Sequence, residues 1–177
     1  MRKGGFQSNI TWQIGNVIII DISTRLHHRV STMINVIDYD TVFVKPGRWY
    51  AFSQRGLLYA GRTSRVGRKT KTTAMHRIIF PAAEQRDHKN GDGLNNLRSN
   101  LRPCSHTENI RNRSMHKNNS LGFKGVSQHA SKFRARIRVD GKDKIIGTFL
   151  TPQEAAAAYD NAAKQHYGDF ARLNEGA

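Results

Sequence analysis

Asp87 and His88 stand side by side in the run Arg86-Asp87-His88-Lys89-Asn90-Gly91-Asp92-Gly93, and Ser105-His106-Thr107-Glu108-Asn109 lies a short distance further on. An adjacent carboxylate and imidazole mean little alone, but their surroundings add weight. Asn90 to Gly93 has the composition of a tight turn, and Ser105 with Glu108 makes a capping box that opens a helix running through Asn109. The predicted order is strand, loop, second short strand, helix. In such a unit a carboxylate at a strand end and an amide oxygen on the first turns of the helix can converge on one cation. Asp87 and Asn109 are oxygen ligands of the kind Mg²⁺ (or Mn²⁺) accepts, with water and phosphate oxygens filling the remaining positions. Successive strand residues point to opposite faces, so His88 need not share the metal. Its ordinary pKa of about 6.5 suits a base that takes a proton from water near neutral pH.

The elements that position these residues are readable in outline. Val17 to Ile22 and Ser31 to Val44 are rich in β-branched and aromatic residues and read as short strands. Trp49, Tyr50 and Phe52 precede Arg55-Gly56, and Leu57 to Tyr59 follow, which predicts a hairpin. Arg62, Arg65, Arg68, Lys69 and Lys71 surround Gly67 in a stretch that reads as a flexible basic loop, able to track phosphates or simply to stand in solvent. Asp92, Asn95 and Asn96 are assigned to turn geometry, and Arg98 and Arg102 to phosphate contacts. Cys104 reads as a small buried side chain rather than a nucleophile.

The run His76-Arg77-Ile78-Ile79, then DHKNGDGLNNLRSNLR, then TENIRN resembles the HNH endonuclease family, in the phage and intron homing group whose last motif residue is Asn. The resemblance covers residues 38 to 113, with IDYD and GRWYAF similar to the lead-in strands of that group. It implies a ββα-metal nuclease fold in which Asp87 and Asn109 hold the metal, His88 is the general base, and Asn100 either orients His88 or braces the loop. His76 is read as a structural residue, hydrogen-bonded in the sheet. Taken singly, Asp87 could cap a turn, Asn100 could satisfy backbone groups and Asn109 could be a solvated helix residue; together those readings require several coincidences.

Composition narrows the partners. Of 177 residues, 29 are Lys or Arg and 13 Asp or Glu, a net charge of +16 that points to a polyanion. Residues 45 to 119 alone hold sixteen basic and four acidic side chains. Apolar runs such as Val17 to Ile20 are too short to span a bilayer or act as a signal core, so the expectation is a soluble, intracellular, cytoplasmic chain of phage or bacterial type, with no membrane partner. One cysteine can form no internal disulfide and supplies no paired thiolates for zinc.

A polar stretch at 114–120 reads as a linker. Beyond it, Phe123 to Gln128, Phe133 to Val139 and Lys144 to Leu150 read as strands, the last two joined by Asp140-Gly141. A helix follows, with Thr151 as N-cap, Pro152 at its first position, Glu154 at its third and Gly168 at its end. Ala155, Ala158, Tyr159, Ala162 and Ala163 share one helical face and are expected to cover the sheet. Phe133, Ala135, Ile137 and Val139 alternate with Arg134, Arg136 and Arg138, giving one apolar face and one row of guanidinium groups without acidic neighbours. Such a sheet can enter a major groove.

FKGVSQ, KFRARIRVDGK, IIGTF, EAAAAYDNAAKQHYG and FARLN resemble the Apetala/ethylene-response-factor type DNA-binding domain over residues 121 to 174. The resemblance implies that Lys124, His129, Arg136, Arg138 and Lys144 meet DNA; Arg134 joins them from strand alternation. Ser127 and Ile145 stand where plant members carry Arg and Trp, so no target sequence transfers. The expectation is an α+β protein with a nuclease domain over 1–113 and a DNA-binding domain over 121–177. It would cut double-stranded DNA at selected sites as a monomer or dimer, with no small-molecule substrate. Arg62, Arg65, Arg68, Lys69 and Arg98 would be further DNA contacts. The rival readings are a non-catalytic DNA-binding regulator and, more distantly, an RNA-binding protein.

Overall fold

The structure is a computed structural model and describes residues 9–45, 47–113, 115 and 119–174. The fold is α+β. Among the described residues there are four small antiparallel sheets, three of three strands and one of two, with few helices. The chain divides into two compact units, Met1–Ser105 and His106–Ala177. Of the expected linker, residues 114 and 116–118 lie outside the described residues.

The first unit opens with strands β1 (Thr11–Ile14), β2 (Val17–Asp21) and β3 (Ser31–Asn35), paired in that order. Ile18, Ile20 and Ile34 point inward and join Ile22, Val42, Trp49, Met75, Ile79 and Leu101 in one core. The chain does not continue as a strand to Val44. After β3 it forms a 3-10 turn, Val36–Asp38, and a short helix α1 (Tyr39–Phe43). The reason is tertiary. Asp38 is fully buried, and its carboxylate accepts Nε (3.0 Å) and Nη2 (2.7 Å) of Arg98, while Val42 enters the core. A buried charge must be paired, and that requirement outweighs the β-preference of Ile, Val and Tyr.

Strands β4 (Tyr50–Gln54) and β5 (Leu57–Val66) are joined through Arg55 (φ 53°) and Gly56 (φ 81°), both left-handed as a two-residue hairpin of this kind requires. Residues 62–71 are not a loop. β5 pairs in full register with β6 (Lys69–Ala74), from Gly61 opposite Ala74 to Val66 opposite Lys69, so the basic residues stand on a regular two-stranded ribbon. Hydroxyls close its base: Tyr50 meets Thr63 at 2.5 Å and Thr72 at 3.0 Å. Next come α2 (Met75–Ile79) and the hairpin β7 (Gln85–His88) and β8 (Leu101–Cys104).

The second unit begins with α3 (His106–Arg111) and contains β9 (Val126–His129), β10 (Lys132–Val139), β11 (Lys142–Phe149) and α4 (Pro152–Tyr167). The capping box at the start of α4 is complete, with Thr151 and Glu154 each accepting from the other's backbone N–H. Ala155, Ala156, Tyr159 and Ala163 are buried against Val126, Ala135, Ile137 and Val139. Gly125, at φ 78°, lies so close to the Tyr159 ring that an added Cβ would stand 2.0 Å from it.

Candidate functional site

Strand β7 places Asp87 and His88 at its end, each only 6% exposed. Asp87 stands opposite Arg102 in the hairpin register, and Nε (2.9 Å) and Nη2 (2.6 Å) of Arg102 both donate to Oδ2 of Asp87. Arg102 is therefore no surface phosphate contact; it is a buried guanidinium that fixes the plane of the Asp87 carboxylate.

His88 is held by Asn96, a residue whose sequence neighbourhood suggests only a turn. Asn96 is fully buried; its Nδ2 donates to Thr32 Oγ1 at 2.8 Å and its Oδ1 lies 3.2 Å from His88 Nε2. With the amide nitrogen committed to Thr32, Oδ1 accepts from Nε2–H, and Nδ1 becomes the basic nitrogen of the imidazole. Burial, the largest effect, lowers the His88 pKa against the opposing Asn96 bond and the charges of Asp87 and Asp92. The lowered pKa favours the neutral imidazole, the form that can accept a proton.

The loop between the two strands is tied down on both sides. Asn100 braces it and does not touch His88 by these bonds: Oδ1 accepts from Asn90 N (3.1 Å) and Nδ2 donates to Asn95 O (2.8 Å). Met33 N donates to Leu94 O, Asn96 N donates to Met33 O, and Arg98 N donates to Asn35 Oδ1, so strand β3 extends its pairing onto the loop. The N-terminal sheet is therefore the support of the Asp87–His88 hairpin. Gly93 is needed there because a Cβ would stand 2.4 Å from Leu58 O and 2.5 Å from the Tyr59 ring.

His76 lies on helix α2, not in a sheet, and its ring meets His88 edge to face at 5.1 Å. Tyr59 packs against both imidazoles at 5.9 Å. Burial, with His88 and nearby arginines adding to it, pushes His76 down to about 3. Asn109 lies on α3 of the second unit.

Among the described residues no three His, Cys, Asp or Glu side chains group as a metal site. A carboxylate such as Asp87 is an oxygen donor of the kind hard cations accept, with water and phosphate filling the other positions.

The basic residues fall into two classes. Arg65, Arg68, Lys69, Arg136, Arg138, Lys144 and His129 are exposed. Arg62 is 6% exposed, lies over the Trp49 ring at 4.8 Å and donates to Val42 O and Lys45 O, so it braces the chain instead of reaching a phosphate. Arg98 is exposed as well, but it pairs with Asp38 and lies over the Phe80 ring. Lys124 donates from Nζ to Arg111 O (2.6 Å) and Arg113 O (2.7 Å), at the end of α3, and burial lowers its pKa to about 8.

In the second unit's sheet, Arg136 and Arg138 alternate with buried Ala135, Ile137 and Val139 as expected. Arg138 has an acidic neighbour after all, Asp143 at 3.6 Å, a solvent-exposed pair worth little. Arg134 is half-buried and bonded to His129. Lys144 stands opposite Ile137, on the other face from the arginines, at the sheet's exposed margin. Ile145, opposite Arg136, adds an exposed apolar side chain to the arginine face.

No known family profile matches the chain. It is 50% identical over 60 residues to dehydration-responsive element-binding protein 2A of Arabidopsis thaliana, covering 32% of this chain and 18% of the relative. It is 38% identical over 85 residues to dehydration-responsive element-binding protein 2D of the same plant, covering 46% and 41%. An uncharacterized HNH endonuclease of Acanthamoeba polyphaga mimivirus is 28% identical over 109 residues, covering 57% of each chain. The chain thus spans less than two thirds of each of these relatives, and it is similar both to plant proteins of the dehydration-responsive element-binding type and to a viral protein named for HNH endonuclease activity.

Proposed function

We propose that this protein is a site-selective, homing-type endonuclease that hydrolyses phosphodiester bonds of double-stranded DNA with one divalent cation, and that its C-terminal sheet grips the duplex. The observation that carries this reading is the buried Asp87–His88 pair, each member held in place by a separate partner, Arg102 and Asn96. A buried, oriented, neutral imidazole beside a fixed carboxylate is costly to maintain and suits acid–base chemistry. The chain order β7, loop, β8, α3 supports a ββα-metal reading of this stretch.

In this mechanism Asp87 and Asn109 would hold Mg²⁺ or Mn²⁺, and the cation when bound would supply charge stabilisation for the phosphoryl group and the departing oxygen. Nδ1 of His88 takes a proton from water as the water oxygen bonds to phosphorus. The bond to the 3′ oxygen breaks, the departing oxygen takes a proton from solvent, and a 5′-phosphate and a 3′-hydroxyl result; His88 returns its proton to bulk water. Asn96 keeps the imidazole in the basic tautomer, and Arg102 keeps Asp87 from rotating. One such site per chain nicks one strand; cutting both requires a second copy or a second event.

The exposed ribbon residues Arg65, Arg68 and Lys69 and the exposed Arg136 and Arg138 supply the DNA contacts. Arg134 and His129 border that sheet face, and Lys144 adds an exposed charge from the opposite face. The 50% identity to a plant element-binding protein favours a second reading, a regulator that binds duplex DNA without cutting it. Incubating supercoiled plasmid with the protein, with Mg²⁺ or with chelator, separates the two. Metal-dependent nicked or linear product supports the nuclease; retarded but intact plasmid in both conditions supports the regulator.

A further inference from the structure

Three rings from three elements of the first unit close on one another: Tyr59 from β5, His76 from α2 and His88 from β7. The His76 and His88 centroids lie 5.1 Å apart with their planes at 89°, and Tyr59 stands 5.9 Å from each. The two rings around His88 are themselves held. Tyr59 packs at 5.9 Å on Phe52, its partner in the β4–β5 register, and Gly93 approaches the same ring where no Cβ fits. His76 is fixed by its helix, since Met75 and Ile79 of α2 are buried in the core.

The bond from Nε2 to Asn96 leaves one freedom of the His88 ring open. The side chain enters the ring at Cγ, and Nε2 lies nearly across from it. Partial rotation about Cβ–Cγ therefore moves Nε2 little but swings Nδ1, the basic nitrogen, out of line. That torsion joins sp³ to sp² carbon and has only a broad preference of its own. A neighbouring ring at a right angle removes the freedom, because rotation in either sense gives up the edge-to-face contact that aromatic rings favour at this spacing. His76 is suited to this by its ring alone. Among the described residues its side chain makes ring contacts and no hydrogen bond. Burial pushes its pKa down to about 3, so it brings no charge beside the base at neutral pH.

We propose that His76 and Tyr59 are positioning residues for His88: they form an aromatic clamp that fixes the rotation of the imidazole whose tautomer Asn96 fixes. This rests on the nuclease reading of His88 and adds that the direction of Nδ1 is set by two rings that take no part in the proton transfer. A base displaced by about 1 Å can lose about 100-fold in rate, so the clamp should be read in the chemical step.

The test uses the full chain and pairs each truncation with a variant that keeps a ring: His76→Ala with His76→Phe, and Tyr59→Leu with Tyr59→Phe. One readout needs neither metal nor cleavage: the ring NMR signals of His88 in histidine-labelled protein, identified by their loss in His88→Ala. The other is plasmid cleavage at saturating Mg²⁺ and DNA, together with the Mg²⁺ concentration that half-saturates it and duplex affinity in chelator. The ring-keeping variants are expected to give one sharp set of His88 signals and to recover most of the wild-type rate. His76→Ala and Tyr59→Leu are expected to broaden or split that set and to slow cleavage at saturation by about 10–100-fold, with the Mg²⁺ requirement and duplex affinity near wild type. If His76→Ala does not fold, the Tyr59 pair carries the same test. One sharp signal set and wild-type cleavage in both truncations overturn the proposal. Equal loss of rate in His76→Ala and His76→Phe, with sharp His88 signals in both, overturns it in favour of a direct contact between His76 and substrate. No metal-dependent cleavage by the wild-type chain sinks the nuclease reading and the positioning role with it; ring signals that still behave as expected place that failure in the nuclease reading and not in the clamp.

Discussion

The imidazoles of His76 and His88 meet edge to face, their centroids 5.1 Å apart and their planes at 89°. His88 is buried and His76 half-buried, and both pKa values lie below the ordinary histidine value, His76 at about 3. In the unfolded chain His76 titrates near 6.5, so between about pH 6.5 and 3 the unfolded state binds the extra proton. Stability is therefore fully present above pH 6.5 and falls on acidification, by at most about 1.4 kcal/mol per pH unit for one proton. Denaturant midpoints at pH 4, 5 and 7 should show this slope in the wild type and a shallower one in His76→Phe, which keeps an aromatic edge without the titration. Equal slopes would mean that His76 is solvated.

The Asn96–His88 bond predicts a difference between two variants. His88→Ala removes the base and should lower cleavage by about 10²–10⁴-fold without loss of duplex affinity. Asn96→Ala leaves the base present but frees its tautomer, and it also deprives Thr32 Oγ1 of a donor in a buried site. Its cleavage rate should fall less than that of His88→Ala, and stability should drop by about 1–3 kcal/mol. Wild-type rates in Asn96→Ala would remove Asn96 from the mechanism.

Local signals in the sequence suffice for the Arg55-Gly56 and Asp140-Gly141 hairpins and for the capping box of α4, because each is decided by residues within a few positions of one another. The elements that sequence does not reveal depend on distant partners. Asn96 looks like half of a turn dipeptide, and only Thr32, 64 residues away, makes it the support of His88. Asp38 turns a β-like stretch helical through Arg98, 60 residues on. Charge alone groups Arg62, Arg102 and Lys124 with the surface cations, but burial is a tertiary property that charge does not reveal. The basic ribbon looks like a loop because Gly67 and its charged neighbours resemble one; pairing with β6 is what makes it regular.

Asp87→Asn tests the metal assignment with less damage than Asp87→Ala, since an amide oxygen still accepts from Arg102 whereas alanine would take the carboxylate away from a buried guanidinium, a loss of about 3–5 kcal/mol. The Mg²⁺ concentration needed for cleavage should rise sharply while duplex affinity in chelator stays within about twofold of wild type. Coincident metal titrations of variant and wild type would show that Asp87 is no ligand.

The regular register of the β5–β6 ribbon changes what its charges are expected to do. Arg65 stands opposite Thr70 and Val66 opposite Lys69, so the side chains leave the ribbon in defined directions. Their heads remain exposed and have no acidic partner across the ribbon, which suits phosphate contacts made from a fixed frame. Replacing Arg65, Arg68 and Lys69 together should weaken binding to all duplexes alike and reduce the salt slope by about 0.9 for each phosphate that is no longer neutralised. Arg136 projects from a strand whose other face is packed by Ala135 and Ile137, next to a register shift at Ala135/Arg136 that sets its angle. Arg136→Ala should cost about 1–3 kcal/mol on the preferred sequence and less on random duplex. Binding of both variants to selected and random duplexes across a salt series separates the roles. Selectivity that disappears in the ribbon variant and persists in Arg136→Ala would make the ribbon the reader and the sheet the phosphate clamp.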